Sequence, residues 1–275
     1  MVTAALRLLR ATARALRGRD LPLHAAAVTF YAGIAVVPVA LLALWLAAAA
    51  LGADRLRRLA AYPVASVPDA VGADRALATL VEAGIGLDAR LALVTLLPAT
   101  LYGEGLRRAL VSLADPGETL VGWRGRLLLV PLLAAAPVLL VALLALAAPG
   151  IRWVRAGGWS AVAGIAVSFL GTWLLLSVVV VWVFRVFGPG RPRWLPTLLG
   201  AALTAAHISG FGHGAVLFAA LPLDLGLPFG GLDTVGAVVA IGLWLFVFHI
   251  LLLAGYAATR QAHRAGGRTR QAPEG

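Results

Sequence analysis

LPLHAAAVTFYAGIAVVPVALLALWLAAAAL, residues Leu21–Leu51, carries no Asp, Glu, Lys or Arg and a single imidazole, His24. A helix crosses a bilayer with about 20 apolar residues at a rise of about 1.5 Å each. This run exceeds that length and is about twice the apolar core of a signal peptide. Small residues at 47–50 mimic a cleavage site, but the length reads as an uncleaved first span. Pro38 lies near its middle, where it removes an intrahelical hydrogen bond and kinks the helix. Tilt and a kink together accommodate the excess length.

Working outward, five further apolar stretches follow at 87–103, 127–148, 159–187, 195–221 and 234–258. The stretch at 87–103 is the weakest, because it contains Pro98 and ends at Glu104. The expected fold is therefore an all-α integral membrane protein with six transmembrane helices, kinked in places, over residues 21–258. Composition agrees. Hydrophobic residues make up 61% and charged residues 13%, against about 25% charged in soluble domains. With a mean hydropathy of +0.93, the chain has more apolar surface than a water-solvated core can bury. Lipid has to act as solvent.

The net charge of +11 comes entirely from arginine. In a soluble chain it would suggest nucleic acid. Here the arginines sit between apolar runs, which points to membrane topology and away from a nucleic-acid partner. About 16 of the 23 basic residues fall in the N-terminal tail, the loops near 104–126 and 185–193, and the C-terminal tail. The loop at 222–233 has none. This bias places both termini and the even-numbered loops in the cytoplasm.

Before the first span, residues 1–20 read as a basic amphipathic helix. Arg7, Arg10, Arg14 and Arg17 recur at helical spacing, and so do Leu6, Leu9, Ala13 and Leu16. Such a helix suits the interface of an anionic leaflet, with lipid head groups as its partner. The one long loop, 52–89, mixes both charge signs; residues 74–82 suit a short surface helix, and Pro63 and Pro68 break the rest. Residues 259–275 read as a disordered cytoplasmic tail.

No Walker loop, H-E-x-x-H or G-x-S-x-G motif is present, and cysteine is absent. No catalytic residue, metal site or cofactor is therefore expected, and the chain does not read as an enzyme. Polar groups inside spans are costly and become site candidates by default. His207, with Thr204 on its face, lies near the middle of the fifth span, and His249 lies in the sixth. Both are expected to face the bundle interior, where they either bond a neighbouring helix, or relay protons or bind a head group. Glu104, Arg107 and Arg108 form either a local ion pair or an anion-handling cluster at the cytoplasmic mouth. Gly210, Gly212 and Gly214 permit close helix contact at GxxxG spacing, or mark a broken helix lining a cavity. With Pro38 and Pro98 they are the candidate hinges. Gly200 and Thr204 add a small-xxx-small pair.

HAAAVTFYAGIAVVP, residues 24–38, resembles the first-span signature of the YihY/BrkB family of bacterial inner-membrane proteins, in which an Ala-rich start, an aromatic pair and a proline recur. Here these are Ala25, Ala26, Phe30, Tyr31 and Pro38. LRRAL at 106–110, LLGAAL at 198–203 and FGGL at 229–232 are similar to later family blocks in the same order. The chain departs where the family often ends its last span in Gly-Ala-Glu, because Gly255 is followed by Tyr256 and Ala257. Asp233 and Thr234 after Leu232 depart as well. The resemblance implies a six-span inner-membrane protein of a family linked to serum resistance and envelope lipid export. It also implies that an old ribonuclease label for the family should be discarded.

The expected function is transport, in the manner of a flippase, of an amphiphilic cell-envelope component. The alternative is a membrane scaffold or regulator of envelope assembly. Self-association into a homo-oligomer stays open. A cavity between spans one, five and six would favour transport, and a solid bundle the scaffold.

Overall fold

The computed structural model describes residues 2–66, 73–114, 122–190, 192–219, 221 and 223–268. Among them the chain is helical, without strands. The helices are α1 (Val2–Leu16), α2 (Leu21–Leu51), α3 (Ala53–Val64), α4 (Ala73–Ile85), α5 (Ala89–Ala114), α6 (Gly122–Ala156), α7 (Gly158–Trp182), α8 (Trp194–Ala219) and α9 (Asp233–Arg268). Among the described residues, five stretches are long and apolar enough to cross a membrane: Leu21–Leu51, Trp123–Ala156, Gly158–Phe187, Trp194–Phe218 and Asp233–Gly266. The remaining expected span, the second, at 87–103, falls on α5, 26 residues long, whose later turns carry Glu104, Arg107 and Arg108.

The six long helices form a ring. Each packs on the next in sequence, from α2 to α5, α6, α7, α8 and α9, and α9 returns to α2. Polar contacts fix which ends lie together. The Arg19 guanidinium donates to the Ser112 carbonyl at 3.1 Å. Arg126 pairs with Glu104 at 2.8 Å, and Arg107 donates to the Phe187 carbonyl at 2.6 Å. The Arg193 backbone N–H donates to His263 Nδ1 at 3.2 Å. The arginine-rich segments thus share one end of the bundle. Exposed Trp123 and Trp194 stand at that end and Trp153 and Trp159 at the other, as interfacial aromatic belts do. Trp123 and Trp153 are about 45 Å apart along α6, close to the thickness of a bilayer with its head groups.

Small residues set how closely the helices approach. A side chain on Gly103 would collide with the Gly125 backbone, and one on Gly125 with that of Gly103, where α5 crosses α6. On α8 and α9 the fit is reciprocal: Gly200 faces Thr259 and Gly255 faces Thr204. Both threonine hydroxyls donate to their own helix, to the Gly200 carbonyl at 2.7 Å and the Gly255 carbonyl at 2.9 Å. The small-xxx-small spacing of Gly200 and Thr204 is therefore a helix contact.

The other end is capped by α3 and α4. Leu56 is fully buried against Leu44 and Ala47 of α2, with Leu80 and Val81 of α4 and Leu140 of α6 around them. Arg57 holds Glu82 through both carboxylate oxygens, at 3.0 and 3.2 Å from Nε, and Asp54 at 3.1 Å. That guanidinium keeps the Glu82 carboxyl below its usual range, against a smaller opposing effect of desolvation.

Three expectations change. Segment 52–64 was expected to be broken loop, but α3 forms there, because Leu56 and Ala60 find a buried surface and Pro63 falls in its last turn. Pro68 lies outside the described residues. The tail was expected to be disordered from 259, yet α9 continues to Arg268. Thr259 seats on Gly200, His263 accepts from Arg193 and α1 packs along α9, so this segment has tertiary partners that its polar sequence does not advertise. Residues 269–275 lie outside the described part. Helix continues through the candidate hinges Pro38, Pro98 and Gly210 to Gly214, which lie inside α2, α5 and α8. Finally, Gly210, Gly212 and Gly214 make no close backbone contact. A methyl group there would meet only Phe169, Phe248 and Trp244 ring atoms at 3.8, 3.9 and 3.9 Å, ordinary van der Waals contact that does not require glycine.

Helix α1 lies on α9 with Thr12 buried. Leu6 and Leu9 stay exposed beside exposed Arg7 and Arg10, so the amphipathic face is left open.

Candidate functional site

A partly open cavity of about 320 Å³ is lined from all six long helices, including Ala35 of α2, Leu132 of α6, Val179 of α7 and Ile208 of α8. Its lining is apolar except for Tyr102 of α5 and His249 of α9. His249 is 5% exposed.

These two side chains belong to a chain of hydrogen bonds that crosses three helices. The Thr29 hydroxyl donates to the Ala25 carbonyl at 2.8 Å. Its oxygen therefore accepts from His249 Nδ1–H, at 3.0 Å. That assignment leaves His249 Nε2 as an acceptor, and the Tyr102 hydroxyl donates to it at 3.2 Å. The imidazole is neutral in this arrangement, with its proton on Nδ1 and both nitrogens partnered. A buried polar group without partners costs about 1–3 kcal/mol, so the network sets which way the ring points. Placed against an apolar cavity, it can hold a polar group of a ligand.

His207 does not join it. It was expected to face the bundle interior; instead it is exposed on the outer face of α8, with Nδ1 bonded to the Leu203 carbonyl at 2.7 Å. A bond to its own helix offsets the polar cost that argued for burial. Thr204 is buried, but against Gly255 and not in the cavity. His213 likewise bonds its own helix, at the Ser209 carbonyl, 2.8 Å away.

The expected trio at the arginine end separates. Glu104 takes Arg108 at 2.7 Å and Arg126 at 2.8 Å, forming a three-residue ion network between α5 and α6. Arg107 points elsewhere, to the Phe187 carbonyl and a pocket that it shares with Arg124 and Arg185. No group of three or more His, Asp or Glu side chains suited to a metal ion occurs among the described residues.

Thr29, Tyr102 and Arg185 were not singled out from the sequence. Each carried a signal, since a hydroxyl or cation inside an apolar run is itself a site candidate. What was missing was the ring closure that brings residues 29, 102 and 249 together.

A family model described as Virulence factor BrkB matches residues 12–274. Neither the curated proteins nor the solved structures contain a match.

Proposed function

The chain belongs to the BrkB virulence-factor family, and from that premise we propose that this membrane protein moves an amphiphilic cell-envelope component through the bacterial inner membrane. The supporting observation is the partly open cavity lined by all six long helices, apolar but for Tyr102 and His249. An apolar hollow with one polar cluster accommodates a molecule that has both characters. In this reading both termini are cytoplasmic, as the arginine bias requires, and α1 lies on anionic head groups.

The test is reconstitution of the full chain into proteoliposomes carrying a fluorescent phospholipid, with dithionite bleaching as the readout of transbilayer exchange. Exchange is expected above protein-free vesicles and is expected to fall when Ala35→Phe fills the cavity. Exchange no faster than in protein-free vesicles would refute transport. The scaffold reading is favoured by the closed hydrogen-bond chain from Tyr102 through His249 to Thr29, which can be purely structural. It predicts no exchange, with envelope defects in a deletion strain that Ala35→Phe still complements.

A further inference from the structure

Toward the end of the bundle opposite the arginine-rich segments, a groove of about 350 Å³ lies between α8 and α9. Small residues leave the space: Ala215 of α8, with Ala237 and Ala240 of α9. Phe218, Trp244 and Phe248 wall it. Phe211 packs against Trp244 with ring centres 4.1 Å apart and meets Phe248 edge-on at 5.7 Å, which fixes two of these walls. Among the described residues that line the groove none is charged, and the Trp244 indole N–H is the one polar side-chain group. A polar ligand group placed here would lose its water without gaining partners. What fits is hydrocarbon.

The groove faces the outside of the ring. Val216 and Ile241, which line it, are 62% and 60% exposed. Both belong to stretches of membrane-spanning length, so the medium at that surface is lipid. From Ala237 to Phe248 the groove follows α9 for about 16 Å. One leaflet's share of the hydrocarbon is about 15 Å. At its inner end the groove meets the cavity that holds Tyr102 and His249, because Leu245 and Phe248 line both. One layer of side chains separates the two hollows.

We propose that the groove between α8 and α9 binds one acyl chain of a membrane lipid, with Phe248 as the side chain that separates that chain from the cavity. The lining selects hydrocarbon, the length matches one leaflet, and the surrounding bilayer supplies the ligand. The inference rests on the transport reading in one respect, that the bound chain belongs to the molecule being moved and passes Phe248 between cavity and bilayer. Occupancy itself is measured without transport.

The test uses the full chain in phosphatidylcholine vesicles, with a trace of phosphatidylcholine carrying a photoreactive diazirine partway along one acyl chain. After irradiation, peptide mass spectrometry locates the adducts. Adducts at Ile241 and Trp244 are expected to exceed those at Val162 and Ile165 of α7. These two are both 56% exposed, near the same end of the bundle and outside the groove. Ala240→Trp fills the groove and is expected to lower the yield at Ile241 by about tenfold, the free energy of two buried methylene groups. Val216→Trp is expected to act likewise, and Val216 is exposed, so this variant tests the proposal even if Ala240→Trp fails to fold. With the diazirine at the chain end, Phe248→Ala is expected to add adducts at Ile208 and Leu252 in the cavity; none added would overturn the role of Phe248. Equal labelling of the groove and α7, or an unchanged yield at Ile241 in both tryptophan variants, would overturn the site. Labelling of α7 with none in the groove would mean that protein covers it, and would overturn the lipid assignment. Labelling as expected without transbilayer exchange would sink transport and keep the site; exchange with labelling no stronger in the groove than on α7 would do the reverse.

Discussion

Replacing Tyr102 by Phe removes one oxygen and little else, and the structure sets what that should cost. The hydroxyl donates to His249 Nε2 at 3.2 Å, and the other ring nitrogen is already committed to Thr29 at 3.0 Å. With His249 5% exposed, Nε2 would keep an unpaired lone pair against apolar walls. A lost neutral hydrogen bond costs about 1 kcal/mol, and an unsatisfied buried acceptor about 1–3 kcal/mol. Measured couplings between membrane helices are smaller, about 0.6 kcal/mol on average and about 1.7 at most. The single change is therefore expected to cost about 1–2 kcal/mol. His249→Leu should cost as much or more, since it leaves the Tyr102 hydroxyl without its acceptor. The double variant Tyr102→Phe, His249→Leu should lose less than the sum of the singles, with a coupling of about 0.5–1.5 kcal/mol. Reversible unfolding in mixed micelles, followed by circular dichroism, measures all three. Additive losses would refute the hydrogen-bonded assignment and with it the neutral, Nδ1-protonated imidazole derived from it.

Further outcomes follow from other contacts. Gly255→Val puts a side chain into Thr204 and should cost about 1–3 kcal/mol as overpacking; the same unfolding assay should show Thr204→Ala recovering part of it, and no loss would mean that α8 and α9 are not this close. The Glu82 carboxyl lies below its usual range because of Arg57. The pair's stabilising contribution is thus present above the ordinary carboxylate pKa and disappears as pH falls through the lower, folded-state value. In a carboxyl NMR titration the Glu82 midpoint should rise in Arg57→Gln, and an unmoved midpoint would dissolve the pair. Reporter fusions after Arg58 and after Gly188 should report opposite sides of the membrane, and agreement between them would end the six-span arrangement. A peptide of residues 1–20 should become helical on anionic vesicles and lose that helicity with added salt; indifference to lipid charge would argue that α1 binds α9 alone.

Much of this protein follows from its sequence without coordinates. Apolar runs of span length are a local property, and lipid leaves a backbone little choice but the helix. The spans therefore read correctly to within a few residues at most of their ends. The exceptions were the second span's end, where α5 runs on to Ala114, both ends of the third, where α6 runs from Gly122 to Ala156, and the ends that other helices support: α9 runs past 258 because α1 and α8 contact it, and α3 forms because α2 and α6 bury Leu56 and Ala60. Family membership was legible for the same reason, in short blocks spread along the whole chain. Which face of a helix turns inward was not legible. In a lipid-solvated bundle Leu and Val serve equally well inside and outside, so hydropathy carries no periodicity to reveal the core. The two intramembrane histidines show the consequence. His207 and His249 read alike as polar groups in apolar helices, yet one bonds its own helix and faces outward while the other closes a three-helix network beside the central cavity. The same holds for Arg107 and Arg108, neighbours in sequence that part toward a pocket and an ion pair. Residues 29, 102 and 249 meet because α9 returns to α2, and a contact between the first and last helices of a ring is a property of the tertiary fold alone.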